Sequence, residues 1–164
     1  MDPTRIVVVG ASLGAFPALA ALRLTNAPDA VVLVDGGADL ELLIRTALQR
    51  EGWLAPAAAI SAAGAYQWIW PLEPTLNAPA AARLPVLLMN SADDDQIPRE
   101  SVSKLHAGLP GATVRWRSGP HIRSNQLDLI ARLSRDVNAW LRSLEPSNPA
   151  AQRPRAALAE PAGR

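Results

Sequence analysis

Short runs of β-branched and aliphatic residues alternate along the chain with longer segments in which apolar positions return every three or four residues. The first pattern suits a buried strand and the second an amphipathic helix, and their alternation predicts a parallel sheet flanked by helices. Arg5 to Val9 (RIVVV) reads as the first strand. Leu13 to Leu24 reads as a helix, with Pro17 tolerable in its first turn, where a missing N–H has no bond to lose. Ala30 to Val34 (AVVLV) is the second strand and runs into the turn residues Asp35, Gly36 and Gly37. Asp39 caps a helix to about Gln49, because Leu40, Leu43, Ile44, Ala47 and Leu48 then share one face.

From Gly52 to Arg83 the periodicity fades into alanine, proline and aromatic residues, which reads as loop with short helical pieces. Pro85 to Asn90 is a third strand. Arg99 to Gly108 is a helix stopped by its glycine, and Thr113 to Arg117 (TVRWR) is a fourth strand. Ser124 to Leu144 is a long helix with Leu127, Ile130, Leu133, Val137, Trp140 and Leu141 on its apolar face. Residues 145–164, rich in Pro and Ala without an apolar pattern, read as a disordered tail. Residues 1–144 are thus expected to form one domain, a size that supports a single core.

Composition narrows the functions. Of the 164 residues, 49% are hydrophobic and 19% charged, as in a folded chain, and 16 basic against 15 acidic residues leave a formal charge of +1. Such a balance lacks the basic face that binds nucleic acid through phosphate contacts, so nucleic acid is not expected as a partner. There is no cysteine, which removes thiolate chemistry and Cys-ligated zinc; no metal site and no cofactor is expected. No run reaches the ~18 apolar residues of a membrane span, the N-terminus lacks signal-peptide character, and a cytoplasmic protein without membrane contact is expected.

The chemistry concentrates at strand ends. Gly10-Ala11-Ser12-Leu13-Gly14 follows the first strand and opens a helix, the context of a nucleophile elbow. Gly10 and Gly14 would let the helix pack close while Ser12 takes a strained conformation that exposes its hydroxyl. Ser12 would sit near a helix N-terminus, and the Leu13 amide would be the first oxyanion-hole donor. A serine needs a base, itself oriented by an acid. Of the two histidines, His106 lies within a helix and reads as a packing or surface residue, whereas His121 follows the fourth strand. Asp93, Asp94 and Asp95 lie beyond the third strand, although acidic clusters there also serve as turns and caps. As an alternative, the same glycines could form a nucleotide-binding turn, but Phe16 stands where a third glycine would be needed.

With these residues in view, the chain resembles the α/β-hydrolases, especially the esterase-like branch related to dienelactone hydrolases and prolyl oligopeptidases. The resemblance rests on Asp2-Pro3-Thr4-Arg5-Ile6 before Gly10–Gly14, the connection Trp70–Pro74 (WPLEP), Ser91–Pro98 (SADDDQIP), and His121. It implies Ser12 as nucleophile, His121 as base and, by the distance to Pro98, Asp94 as the orienting acid, with Asp93, Asp95 and Asp35 as rivals. Three positions depart from the pattern: Ser91 stands for a glycine, Ala15 for a glycine after the elbow, and Pro120 separates Gly119 from His121.

The resemblance covers Asp2 to Leu144 and implies a truncated α/β-hydrolase fold of about four mainly parallel strands with flanking helices. A full hydrolase would carry further strands before the elbow, and the second oxyanion donor with them; lacking one such donor costs on the order of 10²–10³ in turnover. Met1 is accordingly expected to mark a truncated reading of the gene or a split hydrolase, with a complementing N-terminal half encoded just upstream; for a complete chain, a homodimer would cover the open sheet edge. The implied function is cleavage of carboxylic esters or thioesters, with a small acyl compound as substrate and Tyr66, Trp68 and Trp70 as candidate pocket residues. A weakly active or inactive half-hydrolase that acts as a binding or oligomerisation module is the alternative.

Overall fold

The structure, a computed structural model, describes residues 5–144; the tail expected from residue 145 lies outside them. Strands β1 (Val7–Ala11), β2 (Ala30–Val34), β3 (Val86–Ser91) and β4 (Thr113–Arg117) form one sheet in the order β1-β2-β3-β4, every pair parallel. Helix α1 (Ala15–Ala21) follows β1 after a single 3-10 turn at Ser12–Gly14; α2 (Leu40–Arg50), α3 (Ala55–Ile69) and α4 (Pro74–Ala81) lie between β2 and β3; α5 (Arg99–Gly108) joins β3 to β4; and α6 (Leu127–Ser143) closes the fold.

Alternation along the strands divides the core between two faces. Val31, Leu33, Val86 and Leu88 pack under α1, α4 and α5 with Leu19, Leu22, Ala78, Ala81 and Leu105. Val32, Val34, Leu87 and Met89 face α6 through Leu133 and Trp140. Every residue of β2 and β3 is buried, which is why both read as unbroken apolar runs. The outer edge of β1 pairs with no described strand.

Two expectations require correction. Residues 55–81 are mostly helix rather than loop. In α3 alanine supplies strong helix propensity while apolar side chains point in all directions, so no single face stands out; only Ala58 and Ala62 are buried. The last helix starts at Leu127, and that residue is 73% exposed instead of joining the apolar face.

The connection Trp70–Pro74 has a structural task. Glu73, buried in the fold, accepts from the Asp39 and Leu40 amides at 2.9 Å each and from the Thr75 amide at 3.3 Å. One carboxylate thereby satisfies N–H groups at the starts of α2 and α4 that lack intrahelical partners. Asp39 caps α2 as expected, accepting from the Leu42 amide at 3.0 Å.

Candidate active site

Because all four strands are parallel, their carboxyl ends open on one edge of the sheet, where ligands of such sheets bind. Ser12, Asp35, Asp94 and His121 follow β1, β2, β3 and β4 respectively. Ser12 has φ 52°, a left-handed conformation that costs a serine free energy. Gly10 permits the tight turn beneath it: an added Cβ would lie 2.6 Å from the Gly14 carbonyl oxygen and 2.7 Å from Ala15 Cα. Gly14, in contrast, has open space around its Cα and a right-handed φ of −68°, so it is not needed for close packing.

The Oγ of Ser12 and Nε2 of His121 are 2.6 Å apart, and His121 Nδ1 is 2.8 Å from Asp94 Oδ2. A carboxylate can only accept, so the ring proton belongs on Nδ1 and Nε2 keeps a lone pair for the serine O–H. Asp94 Oδ1 accepts from the Gln96 and Ile97 amides, both at 2.7 Å. Burial alone would raise the Asp94 carboxyl, but the bonds from His121, Ile97 and Gln96 outweigh it and hold the group below its ordinary value. The acid is therefore charged and oriented from three sides.

The three neighbouring aspartates divide the work. Asp93 Oδ2 accepts from the Gly119 amide at 3.0 Å and Asp95 Oδ1 from the His121 amide at 3.1 Å. These bonds flank Pro120, which has no N–H to satisfy. Bonds from the His121 amide and Gln96, with the charge of Arg123, hold the Asp95 carboxyl low. Gly119 carries φ 99°, which glycine accommodates, and its carbonyl accepts from the Ser91 hydroxyl. Ser91 and Pro120, both departures from the hydrolase pattern, thus fit the loop that carries the histidine.

The other sequence candidates lie elsewhere. His106 is half-buried, with Nε2 3.0 Å from Asn90 Oδ1 and its ring against Trp116, and burial lowers its pKa. Leu13 is second in the 3-10 turn, its side chain 75% exposed. Tyr66 and Trp68 belong to α3 and Trp70 to the turn after it; Trp68 is 86% exposed. A cavity of about 540 Å³ is lined by Arg117, Pro120, Gln126, Leu127 and Arg132 among others, and a smaller one by Ser91, Asp94, Ile97 and Trp116 among others; neither is lined by these aromatic residues. Asp35, Asp94 and His121 bring potential metal-ligand atoms within 4.8 Å of one another. Those atoms are already engaged, Asp35 with Arg117 and His121 with Asp94, and a metal would have to displace both pairings.

A parallel sheet that presents a serine at a strained strand-to-helix turn, with an acid and a histidine on later strand ends, defines an α/β-hydrolase fold, and solved structures of that class superpose on it. An esterase of Pyrococcus furiosus aligns with TM-score 0.57 at 18% identity, covering 85% of this chain and 54% of the esterase. The esterase domain of a Rhodothermus marinus protein gives TM-score 0.57 at 16% identity, covering 84% and 60% of the two chains. An acylaminoacyl peptidase of Pyrococcus horikoshii gives TM-score 0.54 at 19% identity, covering 73% and 20%. The chain spans about half the length of the Pyrococcus furiosus esterase. It belongs to the prolyl oligopeptidase family, whose model matches residues 1–120 and ends one position before His121. No curated protein matches the sequence significantly.

Proposed function

We propose that the chain is a serine hydrolase of carboxylic esters or thioesters that forms an acyl-enzyme on Ser12. The carrying observation is the hydrogen-bonded line from Asp94 through His121 to Ser12, assembled from three strand ends. His121 Nε2 takes the Ser12 proton as Oγ attacks the acyl carbon, and the oxyanion that forms is received by the Leu13 amide at the start of the 3-10 turn. Collapse breaks the bond to the alcohol or thiol, which leaves with the proton from Nε2. Water then repeats the sequence in reverse roles, releasing the acid and restoring Ser12. Asp94 holds the ring and stabilises its transient positive charge.

A fluorophosphonate probe tests the reading. Labelling of the wild type but not of Ser12→Ala supports it; absence of labelling in folded wild type rejects it. A panel of short- and long-chain acyl esters and thioesters then defines the substrate.

A second reading, a binding or oligomerisation module, is favoured by the open β1 edge, beside which Ile6, Val9 and Leu13 are exposed at 45%, 58% and 75%. Such an edge accepts another strand, from a second copy or from a complementing N-terminal half that also brings the second oxyanion donor.

A further inference from the structure

Asp35 is wholly buried, pairs with Arg117, and takes no part in the proton path described above. It follows β2 with φ 47°, a left-handed conformation that aspartate tolerates better than most residues. Both carboxylate oxygens are used. Oδ1 accepts from the Ser91 amide at 2.9 Å, and Oδ2 accepts from the Ile122 amide at 2.8 Å and from the Arg117 guanidinium. Ser91 ends β3, Arg117 ends β4, and Ile122 directly follows the histidine. A single carboxylate therefore ties the end of β2 to the ends of β3 and β4 and to the His121 loop. Asp93, Asp95 and Asp35 together hold the amides of Gly119, His121 and Ile122. Of these three carboxylates, only Asp35 is fully buried, and its arginine partner is half-buried.

We propose that Asp35, neutralised by Arg117, is a positioning residue for His121: it receives the Ile122 amide and so seats the imidazole between Ser12 and Asp94. This rests on the hydrolase reading above. The pairing also explains why a second carboxylate beside the imidazole does not compete with Asp94. Arg117 bonds Asp35 Oδ2 and sets a positive charge against a carboxylate that brings an oxygen within 4.8 Å of a ring nitrogen. The charged groups around this histidine are Asp94, Asp95 and Asp35, with Arg117 and Arg123 as their counter-charges.

The test uses the full chain with ¹⁵N-labelled histidine, and the variants Asp35→Asn and Arg117→Gln, each checked for folding by circular dichroism. An asparagine must turn its NH₂ toward one of the donors that Asp35 now accepts from, so one anchor breaks. It also leaves Arg117 uncompensated beside the ring. Asp35→Asn is expected to move the His121 imidazole titration to lower pH and to slow fluorophosphonate labelling of Ser12 on the order of 10- to 100-fold, the effect of a small misplacement. Arg117→Gln keeps both amide bonds but exposes the ring to the unneutralised carboxylate, and is expected to move the titration to higher pH. Shifts of the same sign, or none, or unslowed labelling of folded Asp35→Asn, overturn the proposal, because removing opposite charges beside a seated ring moves its titration in opposite directions and a broken anchor misplaces it. If Asp35→Asn fails to fold, Arg117→Gln decides: an upward shift supports the proposal and an unmoved titration overturns it. If the wild type is not labelled, the hydrolase reading fails, while the imidazole titrations still decide whether Asp35 and Arg117 set the histidine.

Discussion

The hydroxyl of Ser12 meets the imidazole of His121 at 2.6 Å across 109 positions of sequence. Only parallel pairing of β1, β2, β3 and β4 in consecutive order brings these strand ends to one edge, so the contact depends on the whole sheet. His121→Ala removes the proposed base and leaves the sheet untouched. Fluorophosphonate labelling of Ser12 is expected to fall by about 10²–10⁴-fold, the range of general-base assistance, with the circular dichroism of the folded wild type retained. Equal labelling rates for wild type and variant would remove His121 from the reaction.

Gly10 carries the packing that makes the turn possible. A methyl there meets backbone atoms of Gly14 and Ala15 below 3.0 Å, and backbone cannot rotate aside as a side chain can. Gly10→Ala is expected to push α1 from β1, destabilising the fold by about 1–3 kcal/mol, as overpacking does, and to slow Ser12 labelling. Gly14→Ala meets nothing within 4 Å and serves as the control in urea unfolding. Similar midpoints for the two variants would contradict this account of the turn.

The strain at Ser12 should be measurable without any substrate. At φ 52° an alanine keeps the left-handed penalty of about 1–2 kcal/mol, whereas a glycine relieves it and costs about 0.5–1 kcal/mol through its freer unfolded chain. Ser12→Gly is therefore expected to be the more stable of the two by ~1 kcal/mol, though neither can be labelled. Chemical denaturation of both variants checks this; a more stable Ser12→Ala would place the residue outside the left-handed region.

How much of this was legible beforehand differs between elements for physical reasons. Val31 to Val34 and Val86 to Met89 are covered on both faces, so burial wrote unbroken apolar runs into the sequence, and β2 falls at Ala30–Val34 as expected. Helix α3 was hidden because an alanine-rich helix with few buried positions leaves no 3.6-residue rhythm. Ser12, Asp94 and His121 could be picked out by residue type, order and place after strands, and the structure brings them together. The tasks of Asp35, Asp93 and Asp95 could not, since each accepts from a backbone amide of the histidine loop, and amides carry no residue identity. For Glu73 the same blindness applies.

Acid should loosen the histidine loop. The Asp94 carboxyl lies below its ordinary value in the folded state, so the unfolded chain takes up its proton first as pH falls. The stabilisation it contributes is present above the unfolded value of about 3.9 and is lost progressively as pH falls through the lower folded value. Asp94→Asn removes this proton uptake. Melting temperatures between neutral pH and pH 3 are expected to fall less steeply for the variant than for the wild type, and parallel curves would mean that the carboxyl is not held low in the fold.

The open edge of β1 gives the last prediction. The first strand has no described neighbour beyond β2, and Val9 is 58% exposed on it. Unpaired N–H and C=O groups along five residues invite a strand from another molecule, and a charge on such an edge discourages pairing. In sedimentation velocity the wild-type chain is expected to self-associate as its concentration rises, and Val9→Lys to shift the equilibrium toward monomer. Labelling of Ser12 separates the consequences. If the second copy completes the oxyanion site, labelling per chain rises with concentration in the wild type and stays flat in Val9→Lys. If the edge serves association alone, labelling does not follow the oligomer. A wild type that stays monomeric at every concentration would reject pairing between copies.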